Sequence, residues 1–154
     1  MGMDVYGLAP KTKGEKPTID WSLNPSEEER KAYFEAQDTF EAENVGYYFR
    51  SNVWWWRPLW DYVYQLNDDV LTEEDHEHGH FNEGHEITEA QCEVICKRLI
   101  EALDNGEVEE YKNSYDAYVK SLDKDDMNSH YPFDLDNVKR FCNFVRECGG
   151  FQIC

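Results

Sequence analysis

Arginine and aromatic side chains are concentrated in one short segment, residues 47–60. Aromatic faces stack on nucleotide bases, and the planar guanidinium of arginine pairs with phosphate oxygens through parallel hydrogen bonds. Arg50 and Arg57 stand out because the chain has 15 basic residues against 33 acidic ones. The segment therefore predicts a binding surface for a small phosphorylated or nucleotide-like ligand. The expected ligand-binding residues are Tyr47, Tyr48, Arg50, Asn52, Trp54, Arg57, Asn82 and Tyr131.

Three consecutive tryptophans, residues 54–56, support this prediction. Successive residues of a helix are about 100° apart, so three of them span roughly 200° of its circumference. One core cannot bury an arc of this width. Trp55 and Trp56 fall on the apolar face, whereas Trp54 lies on the polar side beside Arg57. In the alternative interpretation the tryptophans form the core and the arginines pair with the abundant carboxylates.

Histidines form a second cluster, with four of the five between residues 76 and 85. Imidazole and carboxylate groups at such spacing can hold zinc, nickel or copper. The segment matches no defined metal motif, so a solvated acidic loop is the competing interpretation. As a metal site it would indicate a metal-dependent hydrolase, which is one alternative function. The candidate metal ligands are His76, His78, His80 and His85.

The cysteines and the remaining motifs do not indicate catalysis. Five cysteines, an odd number without a Cys-x-x-Cys pair, fit buried thiols in a reducing cytosol. The chain has no Gly-x-Ser-x-Gly elbow, phosphate-binding loop or dinucleotide fingerprint. We therefore expect a non-enzymatic, cytoplasmic binding protein without a cofactor.

The charge of the chain restricts its partners. A formal net charge of −18 repels the phosphates of nucleic acid and of an anionic membrane, and no apolar run is long enough to span a bilayer. Acidic clusters such as residues 27–29 and 107–110 could instead imitate nucleic acid, which suggests an inhibitor of a host DNA-binding or defence protein. The expected partners are a small nucleotide-like ligand or a host protein. The sequence is also compatible with assembly into a homo-oligomer.

Length and composition predict a single, mainly α-helical domain over residues 1–154. Capping boxes at residues 26–29 and 88–91 each mark a helix start. Asn52 is a favoured N-cap for the tryptophan helix, in which Pro58 predicts a kink or a late start.

The predicted architecture is a compact domain of four to five helices with one small sheet. Residues 67–86 are expected to form a loop. Residues 151–154 are expected to pair as a strand with Val5 and Tyr6, giving a two-stranded sheet that joins the N- and C-termini. The predicted helices cover residues 26–43, 52–66, 88–105 and 108–122, and a last one is introduced by Pro132 and ended by Gly149.

Three blocks of sequence resemble a family of uncharacterised bacteriophage and bacterial proteins. They are Met-Gly-Met-Asp-Val-Tyr-Gly at residues 1–7, the Tyr-Phe-Arg segment at residues 48–59 and the ending at residues 144–154. Members of that family run directly from the first block into the second, which implies that residues 15–45 are a peripheral insertion. The resemblance also implies a viral or mobile-element setting, in which a binding protein could sequester a host defence signal. It implies no chemical activity.

Overall fold

The computed structural model describes residues 2–154, and helices predominate over strands. This confirms the predicted mainly α-helical fold. Within that range there are six α-helices and four antiparallel strands. The helices are α1 (Glu27–Glu43), α2 (Val53–Leu66), α3 (Glu73–His78), α4 (Glu89–Asp104), α5 (Glu107–Ser121) and α6 (Leu135–Glu147). The strands are β1 (Gly2–Gly7), β2 (Tyr48–Asn52), β3 (His85–Ile87) and β4 (Phe151–Ile153).

The strands of residues 2–154 form one sheet in the order β2–β1–β4–β3, so the first and last strands lie at its centre. Val5 pairs with Ile153 and Tyr6 with Gln152, which confirms the predicted strand at the end of the chain. The predicted two-stranded sheet is too small, however, because β2 and β3 extend it on either side. β2 escapes prediction because its alternating pattern covers five residues and leads directly into a helix.

Side-chain caps begin the helices where the sequence predicts them. Ser26 and Thr88 complete capping boxes at α1 and α4. The Asn52 side chain accepts a 3.0 Å hydrogen bond from the Trp55 backbone N–H and thereby starts α2. Pro58 lies inside α2, which continues beyond it. Because α2 follows β2 without a loop, the sheet fixes the direction in which each tryptophan projects.

The prediction of a loop over residues 67–86 is wrong, because this segment contains α3 and β3. Thr72 caps α3: its hydroxyl accepts a hydrogen bond from the Asp75 N–H, and the Asp75 carboxylate accepts one from the Thr72 N–H. The six residues of α3 are glutamate, aspartate and histidine, so no apolar stripe reveals the helix in the sequence. His76 and His78 consequently lie on a defined helix.

The core is built around two tryptophans of α2. Trp56 and Trp60 are fully buried, and their rings stack with centroids 5.6 Å apart and an interplanar angle of 10°. Phe141 of α6 makes a T-shaped contact with Trp56, and Phe151 of β4 makes one with Trp60. The inward residues predicted for α6 are confirmed as buried: Val138, Phe141, Cys142 and Val145.

α1 lies at the periphery of the molecule. It buries Phe40, whose ring meets that of Tyr47 with centroids 5.3 Å apart, while its other side chains are exposed or half-buried. The Asn44 side chain fastens the end of α1 by accepting a hydrogen bond from the Lys13 N–H and donating one to the Lys13 carbonyl. This position fits the suggestion that residues 15–45 are an insertion, which stays a prediction.

A buried tyrosine should make the fold less stable at alkaline pH. Burial, followed by the nearby charge of Glu107, raises the pKa of Tyr62 from 10.0 to about 12. The unfolded phenol therefore loses its proton at lower pH than the folded one, so this contribution is complete below pH 10 and declines towards pH 12. We expect the free energy of unfolding, measured by urea titration, to fall over that interval. Tyr62→Phe should make the fall shallower, and an equally steep fall would contradict this assignment.

Candidate functional site

A cleft of about 580 Å³ opens beside α2, and its volume is typical of small-molecule sites. Residues of α2, α3 and α5 line it together with the segment that connects α5 to α6. One group of lining residues is polar or charged and comes mainly from α2 and the region of α3. The other group is aromatic and consists of Phe81, Tyr115, Tyr118 and Tyr131.

Arg57 supplies a cation to this cleft. Its Nη1 donates a 2.8 Å hydrogen bond to the Tyr131 hydroxyl, and its guanidinium carbon lies 5.9 Å from the centre of the Tyr131 ring. Its Nε is buried and has no hydrogen-bond partner within residues 2–154. No carboxylate in the described part of the chain forms an ion pair with Arg57. The guanidinium therefore retains donors that a bound anion could satisfy.

Two aromatic residues, Tyr115 and Trp54, hold Tyr131 beside Arg57. The Tyr115 hydroxyl donates a 2.6 Å hydrogen bond to the Tyr131 carbonyl, and the Tyr131 ring packs against Trp54 with centroids 4.9 Å apart. Trp54 remains 38% exposed, which confirms that the tryptophan next to Arg57 is not sealed in the core. The placement of Trp55 on the buried face is wrong, since Trp55 is 37% exposed and lines another groove. It belongs to the first turn of α2, and burial in that helix begins one residue later.

The polar group of the cleft includes a cluster of Asp61, His76 and His80. Oδ1 of Asp61 lies 2.7 Å from Nε2 of His76 and 2.9 Å from Nε2 of His80. Burial opposes ionisation of Asp61, but hydrogen bonds from His80 and His76 outweigh it and lower the pKa of the carboxyl group below its ordinary value. Nδ1 of His80 is buried and unpaired among the described residues, so hydrogen bonding holds this ring through Nε2. A carboxylate thus faces two imidazoles.

The buried tryptophans position this cluster through their backbone contacts. Nε1 of Trp56 donates a 2.8 Å hydrogen bond to the Gly79 carbonyl, and Nε1 of Trp60 donates one of 3.2 Å to the His76 carbonyl. A Cβ atom on Gly79 would lie 2.1 Å from Nε1 of Trp60, so the close approach requires glycine. The ring of His76 also stacks on Tyr64, with centroids 4.3 Å apart. Both the backbone and one imidazole ring are therefore held in place.

Asp61 is a site residue that the sequence does not single out. It lies one helical turn after Arg57 on the polar side of α2, and His76 and His80 are likewise four residues apart. These four-residue spacings are the only features of the sequence that point to the cluster. The convergence of Asp61 on two histidines depends on how α3 packs against α2, and no local pattern reveals that packing.

The four histidines predicted as metal ligands do not form one site. His76 and His80 line the cleft. Nε2 of His85 instead lies 2.8 Å from Oδ1 of Asp75, and its ring stacks with that of His78 at a centroid distance of 5.5 Å. The separation arises because His85 begins β3 and is fixed by the sheet.

The predicted ligand-binding residues are divided as well. Arg57 and Tyr131 line the cleft, and Trp54 packs against Tyr131. Side chains of a strand alternate between two faces, so those of β2 do not converge with those of α2 on one pocket. The predicted residues that lie away from the cleft are Tyr47, Tyr48, Arg50, Asn52 and Asn82.

Several of these outlying residues have evident structural partners. Tyr48 stacks on Tyr6 with ring centroids 5.0 Å apart, and the Asn82 side chain donates a 2.8 Å hydrogen bond to the Gly2 carbonyl. Arg50 lies in a separate groove of about 330 Å³. The prediction of a single pocket built from residues 47–57 is therefore corrected: the cleft combines the middle of α2 with α3, α5 and Tyr131.

Comparisons with protein-family models, curated proteins and solved structures give no match to this chain. None of the helices in residues 2–154 is both long and apolar enough to cross a membrane.

Trp56→Phe tests whether the tryptophans hold the histidine segment. The substitution keeps an aromatic ring in the core but leaves the Gly79 carbonyl without its donor, which should lower the free energy of unfolding by about 1–3 kcal/mol. The NMR signals of the His76 and His80 rings should shift at the same time. Trp54→Phe, at a partly exposed position, is the matched control and should change stability by roughly 0.5 kcal/mol. Equal losses in both variants, with unchanged histidine signals, would contradict the positioning role.

Proposed function

We propose that this protein binds a small phosphorylated, nucleotide-like ligand in the cleft beside α2. The proposal is carried by one observation: the guanidinium of Arg57 lies within an aromatic cleft and has no ion-pair partner among the described residues. The protein is rich in carboxylates, and many of them could have paired with an arginine. An arginine that forms no ion pair with them retains donors for an external anion.

The donors of Arg57 support a phosphate group as the bound anion. A buried N–H group without a partner costs free energy, and a phosphate oxygen that reached Nε after a shift of the groups covering it would remove that cost. The edge formed by Nε and one Nη nitrogen can donate two parallel hydrogen bonds to a phosphate. Tyr131 holds Nη1 through a 2.8 Å hydrogen bond and so limits the orientations of the group before the ligand arrives.

The aromatic part of the cleft supports a base or another flat ring as the second portion of the ligand. Tyr115, Tyr118 and Phe81 line the same cleft as Arg57, and Tyr118 and Phe81 are about half exposed. Exposed aromatic faces stack on nucleobases with little dependence on their identity. Asn128 adds an amide that can donate to and accept from the edge of a base. A small nucleotide also suits the volume of the cleft.

The proposed biological role is sequestration without chemical conversion. The resemblance to bacteriophage and bacterial proteins implies a viral or mobile-element setting, in which the bound ligand would be a host defence signal in the cytosol. A small ligand fits the charge of the chain better than nucleic acid does, because a net charge of −18 repels a long phosphate backbone. One arginine in a confined cleft can still attract a short anion.

Calorimetric titration with ADP, ADP-ribose and cyclic nucleotides tests the proposal. At least one should bind, and Arg57→Ala should weaken it roughly 10- to 150-fold, since charge-assisted hydrogen bonds contribute about 1.5–3 kcal/mol. Arg57→Lys should recover part of the affinity because it restores the charge without the paired donors. Arg140→Ala is the matched control, since Arg140 lines the separate groove with Arg50.

Two results would count against nucleotide binding in the cleft. One is the absence of heat with every nucleotide in the panel. The other is binding that Arg57→Ala and Arg140→Ala weaken equally. Salt-sensitive association with a basic host protein that is unaffected by Arg57→Ala would favour the alternative, an acidic inhibitor that imitates nucleic acid.

A further inference from the structure

We infer that Asp61, His76 and His80 form a binding site for one divalent transition-metal ion of the zinc class. The sequence predicts two of these ligands, His76 and His80, but it does not predict Asp61 or the separation of this site from His78 and His85. The inference departs from the expectation that the protein has no cofactor. It rests on the arrangement of three side chains and does not depend on nucleotide binding.

The ligand atoms already have nearly the spacing that a metal ion requires. Oδ1 of Asp61 lies 2.7 Å and 2.9 Å from the two Nε2 atoms, and the three potential ligand atoms all lie within 4.8 Å of one another. Bonds of about 2.0–2.2 Å to a tetrahedral zinc ion place neighbouring donors roughly 3.3–3.6 Å apart. Shifts of less than about 1 Å would therefore replace the two hydrogen bonds by coordination to a shared ion.

Contacts with the core and with neighbouring side chains hold the proposed ligands in place. Asp61 projects from the middle of α2, one residue after the buried Trp60. Trp60 in turn donates a hydrogen bond to the His76 carbonyl, and Tyr64 stacks on the His76 ring. Such outer contacts orient metal ligands and reduce the cost of ordering them.

The site is partly open, which leaves coordination positions free. The side chains of His76, His80 and Asp61 are 34%, 18% and 44% exposed, and all three line the cleft. Three protein ligands with a free position facing a cleft are typical of catalytic and substrate-binding zinc sites, whereas structural zinc sites have four protein ligands. Two imidazoles and one carboxylate also favour zinc or a similar transition metal over magnesium and calcium, which prefer oxygen ligands.

A divalent ion would also change the charge of the cleft. With the imidazoles counted as neutral, Arg57 is opposed by Asp61 and Glu77, which leaves one net negative charge among the lining residues. A bound divalent ion turns this into one net positive charge. If the proposed phosphorylated ligand binds there, its phosphate would meet both Arg57 and the metal, and repulsion by Asp61 and Glu77 would be removed.

Titration of chelator-treated protein with Zn²⁺ alone, followed by calorimetry at neutral pH, tests the metal site. We expect one Zn²⁺ per chain. Binding should be at least about 100-fold weaker in His76→Ala, His80→Ala and Asp61→Asn, because removing a residue that only hydrogen-bonds to a metal ligand already costs up to about 100-fold in affinity. His78→Ala is the matched control because His78 lies in the same segment but outside the triad. Its affinity should remain within about threefold of the parent protein.

Cobalt provides a second measurement that weak surface binding would not reproduce. Co²⁺ bound to two imidazoles and a carboxylate should give visible d–d absorption that saturates at one equivalent and disappears in His80→Ala. Thermal unfolding in chelator establishes that each variant is folded. Where an alanine variant fails to fold, His76→Gln or His80→Gln replaces it, because glutamine retains a polar side chain of similar reach.

The metal site would be refuted if no Zn²⁺ bound at one equivalent, or if His78→Ala weakened binding as much as the triad variants. These outcomes are distinct from failure of nucleotide binding. Arg57→Ala should retain the Zn²⁺ affinity of the parent while losing nucleotide affinity. Zinc binding without any nucleotide binding supports the metal site and contradicts the proposed function, whereas nucleotide binding in chelator without zinc binding does the reverse.

Discussion

The stacked pair of Trp56 and Trp60 is the interaction on which the rest of the structure depends. Both rings are fully buried, and among the described residues they are the two largest side chains that are fully buried. Each indole also has an N–H group that would be costly to bury without a partner. The carbonyls of Gly79 and His76 satisfy these two donors, and α3 is thereby held against α2. The same residues therefore form the core and determine where the histidines of the cleft lie.

This arrangement connects the sheet with the cleft. Phe151 of β4 contacts the Trp60 ring, and Phe141 of α6 contacts both Trp56 and Phe151. One aromatic cluster is thus shared by the sheet, α6 and α2. The cleft opens from the polar side of α2, where Arg57 and Asp61 lie one turn apart. A rigid support on one face of the helix is what allows polar groups on the other to keep fixed separations.

The sequence predicts those parts of the fold that have a strong local signal. The capping boxes at α1 and α4 and the periodicity of α6 are of this kind, and the pairing of Val5 with Ile153 follows from two apolar segments near the chain ends. β2 and α3 are missed because the first is short and the second has no apolar face. Four of the residues that line the cleft, Arg57, Tyr131 and two histidines, are predicted from the sequence. The predicted sets also contain residues that the fold places outside the cleft. The packing of α3 against α2 is a tertiary contact, and local patterns of residue type do not predict it.

The order of strands in the sheet has a kinetic consequence. β1 lies between β2 and β4, and Val5 pairs with Ile153, so nearly the whole chain must be enclosed before the centre of the sheet is complete. Closing so large a loop adds little to the equilibrium cost of folding, because that cost grows only with the logarithm of loop length. It slows the search for the native state, however, since distant segments must meet before their contacts reward the lost entropy. The helices can form early from local interactions, and the central pairing of β1 with β4 is expected to be among the last steps of folding.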